Sequence, residues 1–243
     1  MRAETRHSLK EDRFSKATIH AAEQTVHWTV EHKSKLITGA LAVLVIAAAV
    51  LGTWYYLEQQ DQKASFELGQ AVRTLDAPLL PAGATAPPGF PTFPTSKERA
   101  TEARKQFQAI VDKYPHTRTA DFALYFVGLT ASDLGDNAAA ERDLKQISSS
   151  RHEDLAALAK FALASVYHKT NRDKDAIDIY KQLVDKPTRS VGKATAQMEL
   201  ADLYQEKQQP QEAKRIYEQI QKDNPGTEVA SSAASKIAEI GKQ

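Results

Sequence analysis

Cysteine is absent from all 243 residues. Disulfides, thiolate metal sites and a cysteine nucleophile are thereby excluded together. So is a bacterial lipoprotein, whose lipid is carried on an N-terminal cysteine. An oxidising compartment stays open, because exported proteins need not contain disulfides. Neither sign of charge is in excess: 32 Lys and Arg stand against 31 Asp and Glu, which signals no nucleic-acid partner. No stretch alternates as a half-buried strand requires. GxSxG, HExxH, GxGxxG and the P-loop are missing, and the abundant carboxylates are scattered over solvated helix faces. His116, His152 and His168 stand apart from any motif nucleophile. The chain reads as a non-enzyme with no cofactor and no small-molecule substrate.

What is present begins with one apolar run, LITGALAVLVIAAAVLGTWYYL, residues 36–57. It carries no charge, and as a helix it spans about 33 Å, roughly the thickness of a bilayer's hydrocarbon. Trp54, Tyr55 and Tyr56 fall at its far end, where amphipathic rings favour the headgroup layer. Residues 16–35 hold three Lys/Arg (Lys16, Lys33, Lys35) and residues 58–77 hold two (Lys63, Arg73), so the N-terminus is expected on the cytoplasmic side and residues 58–243 outside. A cleaved signal peptide competes, with AAA at 47–49 as its processing site. Against it, the apolar run continues past that point, and a signal core is usually only about 7–15 residues. An uncleaved single-pass anchor is the expectation. His7, His20, His27 and His32 precede it, and His27 and Glu31 lie one turn apart. Two ligands fall short of the four that a structural metal site usually takes, so no metal is expected. FSKATIHAAEQTVHWTV, residues 14–30, reads instead as an amphipathic helix within a cytoplasmic tail, residues 1–35, with Trp28 near the interface.

Beyond the span, KASFELGQAVRTL (63–75) reads as helix, and DAPLLPAGATAPPGFPTFPTS (76–96) holds six of the ten prolines. Proline removes donors and fixes φ, so this insertion is neither regular helix nor central strand and reads as a solvated loop. The rest is periodic. Ala103, Ala140, Ala176 and Ala213 recur at gaps of 37, 36 and 37 residues. Four positions on stand Phe107, Leu144, Tyr180 and Tyr217, and seven on stand Ile110, Ile147, Leu183 and Ile220. Those spacings set a small and two large residues on one helical face. In the preceding helices Val127-Gly128, Leu163-Ala164 and Leu200-Ala201 each pair an apolar residue with a small one, anticipated by Leu68-Gly69 and continued by Ile237-Ala238. KYPHT (113–117) and KDNPGT (222–227) share their punctuation: each proline stops a helix and each threonine can cap the next. Asp136 and Asp173 precede second helices, and Thr95 and Glu98 make a capping box.

This pattern resembles the tetratricopeptide repeat (TPR), a helix–turn–helix unit with alanines and aromatics at those positions and a terminal proline. The period is longer than usual and the early tryptophan is missing, so the repeats are divergent. The expected fold is all-α: one transmembrane helix, then a TPR-like solenoid over residues 58–243. Its four helix pairs are 63–75 with 97–113, 119–134 with 137–149, 153–169 with 174–185, and 190–207 with 210–223, closed by 227–240. The first helix of each pair is expected to line a concave groove. There Phe122 and Tyr125, Leu158 and Phe161, and Thr195 and Met198 point inward. Such a stripe either packs as core or holds a peptide through apolar contact.

WTVEHKSKLITGALAVLVIAAAVLGTWYYLEQQDQKASFELGQAV, residues 28–72, is similar to the start of the YfgM-type ancillary subunit of the Sec translocon. The tail is longer here and the proline-rich insertion is extra. The resemblance implies an inner-membrane anchor with a periplasmic TPR-like domain. It also implies protein partners among translocon components, periplasmic chaperones and exported clients, with no catalytic or ligand residues to carry over. The stretch 114–136 is also similar to repeats of cell-division coordinators and envelope-assembly subunits, which makes a structural scaffold the alternative.

Overall fold

A computed structural model describes residues 32–80 and 91–241. The amphipathic helix expected at 14–30, the histidines His7, His20 and His27, and residues 81–90 of the proline-rich insertion lie outside the described residues. Nine α-helices follow in order among the described residues: α1 Lys33–Leu75, α2 Ser96–Lys113, α3 Arg118–Asp133, α4 Asn137–Ile147, α5 Glu153–Lys169, α6 Asp173–Asp185, α7 Lys193–Glu206, α8 Pro210–Asp223 and α9 Glu228–Ile240. The only extended pairing among them is an isolated bridge between Leu79 and Phe93. The chain divides into two units, one up to Tyr56 and one from Leu57 on.

In the first unit every residue from Lys33 to Tyr56 is exposed. Among them Val45, Ile46, Leu51, Trp54 and Tyr55 are each more than 60% exposed. Water is a poor solvent for such a surface, and by length and composition this helix is able to cross a membrane.

The second unit is built from the periodic residues. All twelve predicted positions on α2, α4, α6 and α8 are buried, from Ala103, Phe107 and Ile110 to Ala213, Tyr217 and Ile220. Each large side chain contributes roughly 1.5–3 kcal/mol by leaving water. Phe107 stacks on Phe126 of α3 at 4.8 Å, and Phe161 of α5 meets Tyr180 of α6 edge-on at 5.6 Å. The small residue of each apolar–small pair allows close approach: a Cβ on Gly128 would stand 2.7 Å from Leu144 Cγ. At the ends of the stack this expectation fails. Gly69 and Ala238 are exposed, while Ala64 and Ala71 of α1, and Ala230 and Ala233 of α9, are buried instead. The long connection from Leu75 to Ser96 replaces the tight turn that fixes register elsewhere, and α9 packs Ala233, not Ala238, against Tyr217 and Ile220 of α8.

The turns explain the punctuation. Thr117 and Thr227 cap α3 and α9 by accepting from the backbone N–H of Ala120 and Ala230. The residues between proline and threonine, His116 and Gly226, take φ of 68° and 76°. Within the pairs, Gly135, Asn171 and Gln208 take φ of 80°, 60° and 57°. In each the next residue's N–H reaches back to the final turn: Asp136 to Ala131, Arg172 to Tyr167 and Gln209 to Tyr204, at 2.8–2.9 Å. These are three Schellman motifs at the repeat spacing. Thr95 caps α2 with Glu98 beside it, Asp136 caps α4, and Pro210 opens α8 as predicted. Asp173 does not precede α6 but begins it, so its carboxylate is free to meet His168 and Lys207. Thr188, after Pro187, caps no helix: its hydroxyl accepts from Val191 N–H, which delays α7 to Lys193.

Candidate protein-binding surface

The first helices of the last three pairs, α3, α5 and α7, and the closing α9 are tied side by side near their C-terminal halves. Lys169 Nζ on α5 donates to Ser132 Oγ on α3 at 3.0 Å. His168 Nε2, also on α5, lies 2.7 Å from Glu206 Oε2 on α7. Lys236 Nζ on α9 lies 2.8 Å from Asp202 Oδ1 on α7. One face thus runs continuously across four helices, and residues at equal repeat positions form rows along it.

The five predicted groove residues, Phe122, Tyr125, Leu158, Phe161 and Met198, occupy two of these rows. All five are half-buried, and each packs on the core while keeping part of its surface open. Arg118 lies over the Phe122 ring at 5.8 Å, and Tyr125 meets Phe126 edge-on at 5.5 Å. Burial pushes the Tyr125 phenol above its ordinary value. Thr195, the sixth position, is exposed.

Two further rows were not singled out by sequence reasoning. Phe126, Ala162 and Glu199 form one; Leu129, Ser165 and Asp202 form the other. Continuing the same alignment one turn along each helix would have found them. They change character along the stack, apolar on α3 and acidic on α7. The Tyr217 hydroxyl donates to Asp202 Oδ1 at 2.6 Å from behind the face. The Glu199 carboxyl is raised, first because its surroundings partly exclude water and then because Asp202 and Glu206 are close.

A family model for the tetratricopeptide repeat-like domain matches residues 26–222. The chain belongs to that family. As a tetratricopeptide repeat-like protein it has the fold of a protein-interaction adaptor, whose partners are other proteins. Among solved structures, the crystal structure of MamA is similar, with a TM-score of 0.43 and 18% identity, covering 60% of this chain and 90% of that one. No curated protein matches.

Elsewhere on this tetratricopeptide repeat-like unit, a cleft of about 670 Å³ lies where α4 ends against α5 and α6. Ser150, Glu153, Lys160, Asp185 and Lys186 line it, a mixture of both charges. Among the described residues no three His, Asp or Glu side chains converge as metal ligands. On α3 and α5 the aromatic and leucine side chains of Phe122, Tyr125, Leu158 and Phe161 stay half-buried.

Proposed function

We propose that the chain is a membrane-tethered adaptor. Its apolar helix stays in the inner membrane of a bacterium, and its repeat unit, on the periplasmic side, holds apolar segments of other proteins. The observation that supports this reading is the pairing of two unsatisfied surfaces in one chain: an apolar stretch exposed from Lys33 to Tyr56 and a repeat face with half-open Phe122, Tyr125, Leu158 and Phe161. The tether raises the concentration of the face near the membrane, so weak contacts suffice. Binding by apolar contact needs no nucleotide for release. A place beside the Sec translocon or in a periplasmic chaperone network fits such a tether, and newly exported chains are its natural clients.

Photo-crosslinking groups at positions 122, 125 and 161 of the full chain test this directly. Capture of exported proteins or translocon subunits well above that at an exposed control position such as 212 is expected. Equal labelling at all positions would sink the proposal. A reporter fused after Gln243 should be active only if that end is periplasmic. Cytoplasmic activity, or a mature chain beginning near Val50, would contradict the tether. Concentration at the division septum would favour the scaffold reading instead.

A further inference from the structure

The same face carries a polarity that narrows what it can hold, and this step rests on the adaptor reading above. On α3 the outward rows are Phe122, Tyr125, Phe126 and Leu129, with Arg118 at the edge; on α7 the same rows are Thr195, Met198, Glu199 and Asp202, with Glu206 beside them. The carboxylates are not equally satisfied. Asp202 has Lys236 and the Tyr217 hydroxyl, and Glu206 has His168. Glu199 has neither hydrogen bond nor ion pair among the described residues, and it sits within a cleft lined by Asp202, Gln205, Glu206 and Lys236. Even with His168 protonated, three carboxylates here meet two cations, Lys236 and His168. The α7 end is therefore net acidic, whereas the α3 end is apolar. Like charges this close oppose one another, and an incoming cation relieves them.

We propose that the face selects partner segments that carry bulky apolar side chains at one end and a lysine or arginine at the other, with the basic residue seated at Glu199. Spacing makes the claim specific. Packed helices lie about 8–10 Å apart, so α3 and α7, two steps apart, are separated by about 20 Å. An extended chain covers that distance in about six residues at about 3.3 Å each. Apolar contact supplies the affinity, and the carboxylate sets direction and choice, as electrostatic complementarity generally does.

Three fluorescent peptides test this against the full chain in detergent at low salt. The first has a Leu-Phe pair six residues from a Lys, the second replaces that Lys with Glu, and the third keeps Lys but replaces the Leu-Phe pair with serines. The first should bind about tenfold more tightly than the second, and the preference should fade as salt screens it. Glu199→Lys should reverse the order of the first two, and Glu199→Gln should make them equal; unchanged thermal unfolding shows that both variants fold. Equal binding of the first two peptides to the unmodified chain would overturn the inference while leaving the apolar groove intact. Binding of the serine peptide as tightly as the first would overturn it by reducing the site to a charge patch. Failure of all three would remove the groove reading itself.

Discussion

Gly128 sits where two opposing magnitudes meet. Replacing a mid-helix glycine with alanine gains about 1 kcal/mol of helix propensity. Here the new methyl would meet Leu144 at 2.7 Å, and Leu144 is fully buried with nowhere to move. Overpacking costs about 1–3 kcal/mol, so the steric term wins. Gly128→Ala is expected to lower stability by about 1 kcal/mol in urea unfolding, and Leu144→Ala added to it should cost less than Leu144→Ala alone. Gln208 offers the opposite case, since its φ of 57° is one that glycine adopts without strain. Gln208→Gly should raise stability by about 0.5–1 kcal/mol, while Gly135→Ala should lower it by a similar amount. His168 supplies a pH test. Its hydrogen bond to Asp173 holds the imidazole above its ordinary value, with Glu206 adding to the effect. A raised folded value means stability that is full below the unfolded value, near 6.5, and lost as pH rises through the folded one. The Asp173 carboxyl, lowered by His168 and then by Lys207, stays charged through that window. His168→Gln should therefore cost more at pH 5.5 than at pH 8.5, by less than about 1 kcal/mol because the pair is partly exposed. An equal cost at both values would show that the clasp is not electrostatic.

At the scale of helices, the sequence was most informative where burial is strictly periodic. Ala176, Tyr180 and Leu183 could be placed from spacing alone because a 36- or 37-residue period leaves one face for them. Caps were legible where side chain and backbone agree, as at Thr117, Thr227 and Asp136. Thr227→Ala should destabilise α9 by about 1 kcal/mol, seen as earlier loss of protection in amide exchange at Ala230 and Ser231. Gln208 has no marker for its left-handed backbone in a single sequence, whereas asparagine favours that region after a helix, so Asn171 was legible and overlooked. Gly69 was misread because its pair matched by identity, whereas register in that helix is set by a connection of unusual length. The binding face was half legible: Phe122 and Tyr125 stood out as bulk, but the acidic row appears only when Leu129, Ser165 and Asp202 are compared as one position.

Across the whole chain, the two units differ in what they bury. From Lys33 to Tyr56 nothing is covered, whereas the unit from Leu57 on has its own cores around Phe107, Leu144 and Tyr217. A chain beginning at Leu57 is expected to be recovered without detergent and to unfold cooperatively, while the full chain should resist carbonate extraction of membranes. Recovery of the full chain in the carbonate wash would contradict the tether.

The connection between α1 and α2 is pinned at its feet. Phe93 N–H donates to the Pro78 carbonyl and its own carbonyl accepts from Leu80 N–H, and Arg99 Nη1 grips the Ala77 carbonyl at 2.9 Å. Because the ends are already held together, the cost of what lies between them grows only slowly with its length. Residues inserted between positions 80 and 91 are therefore expected to leave thermal unfolding nearly unchanged, so an epitope spliced there can be used to follow the protein in living cells.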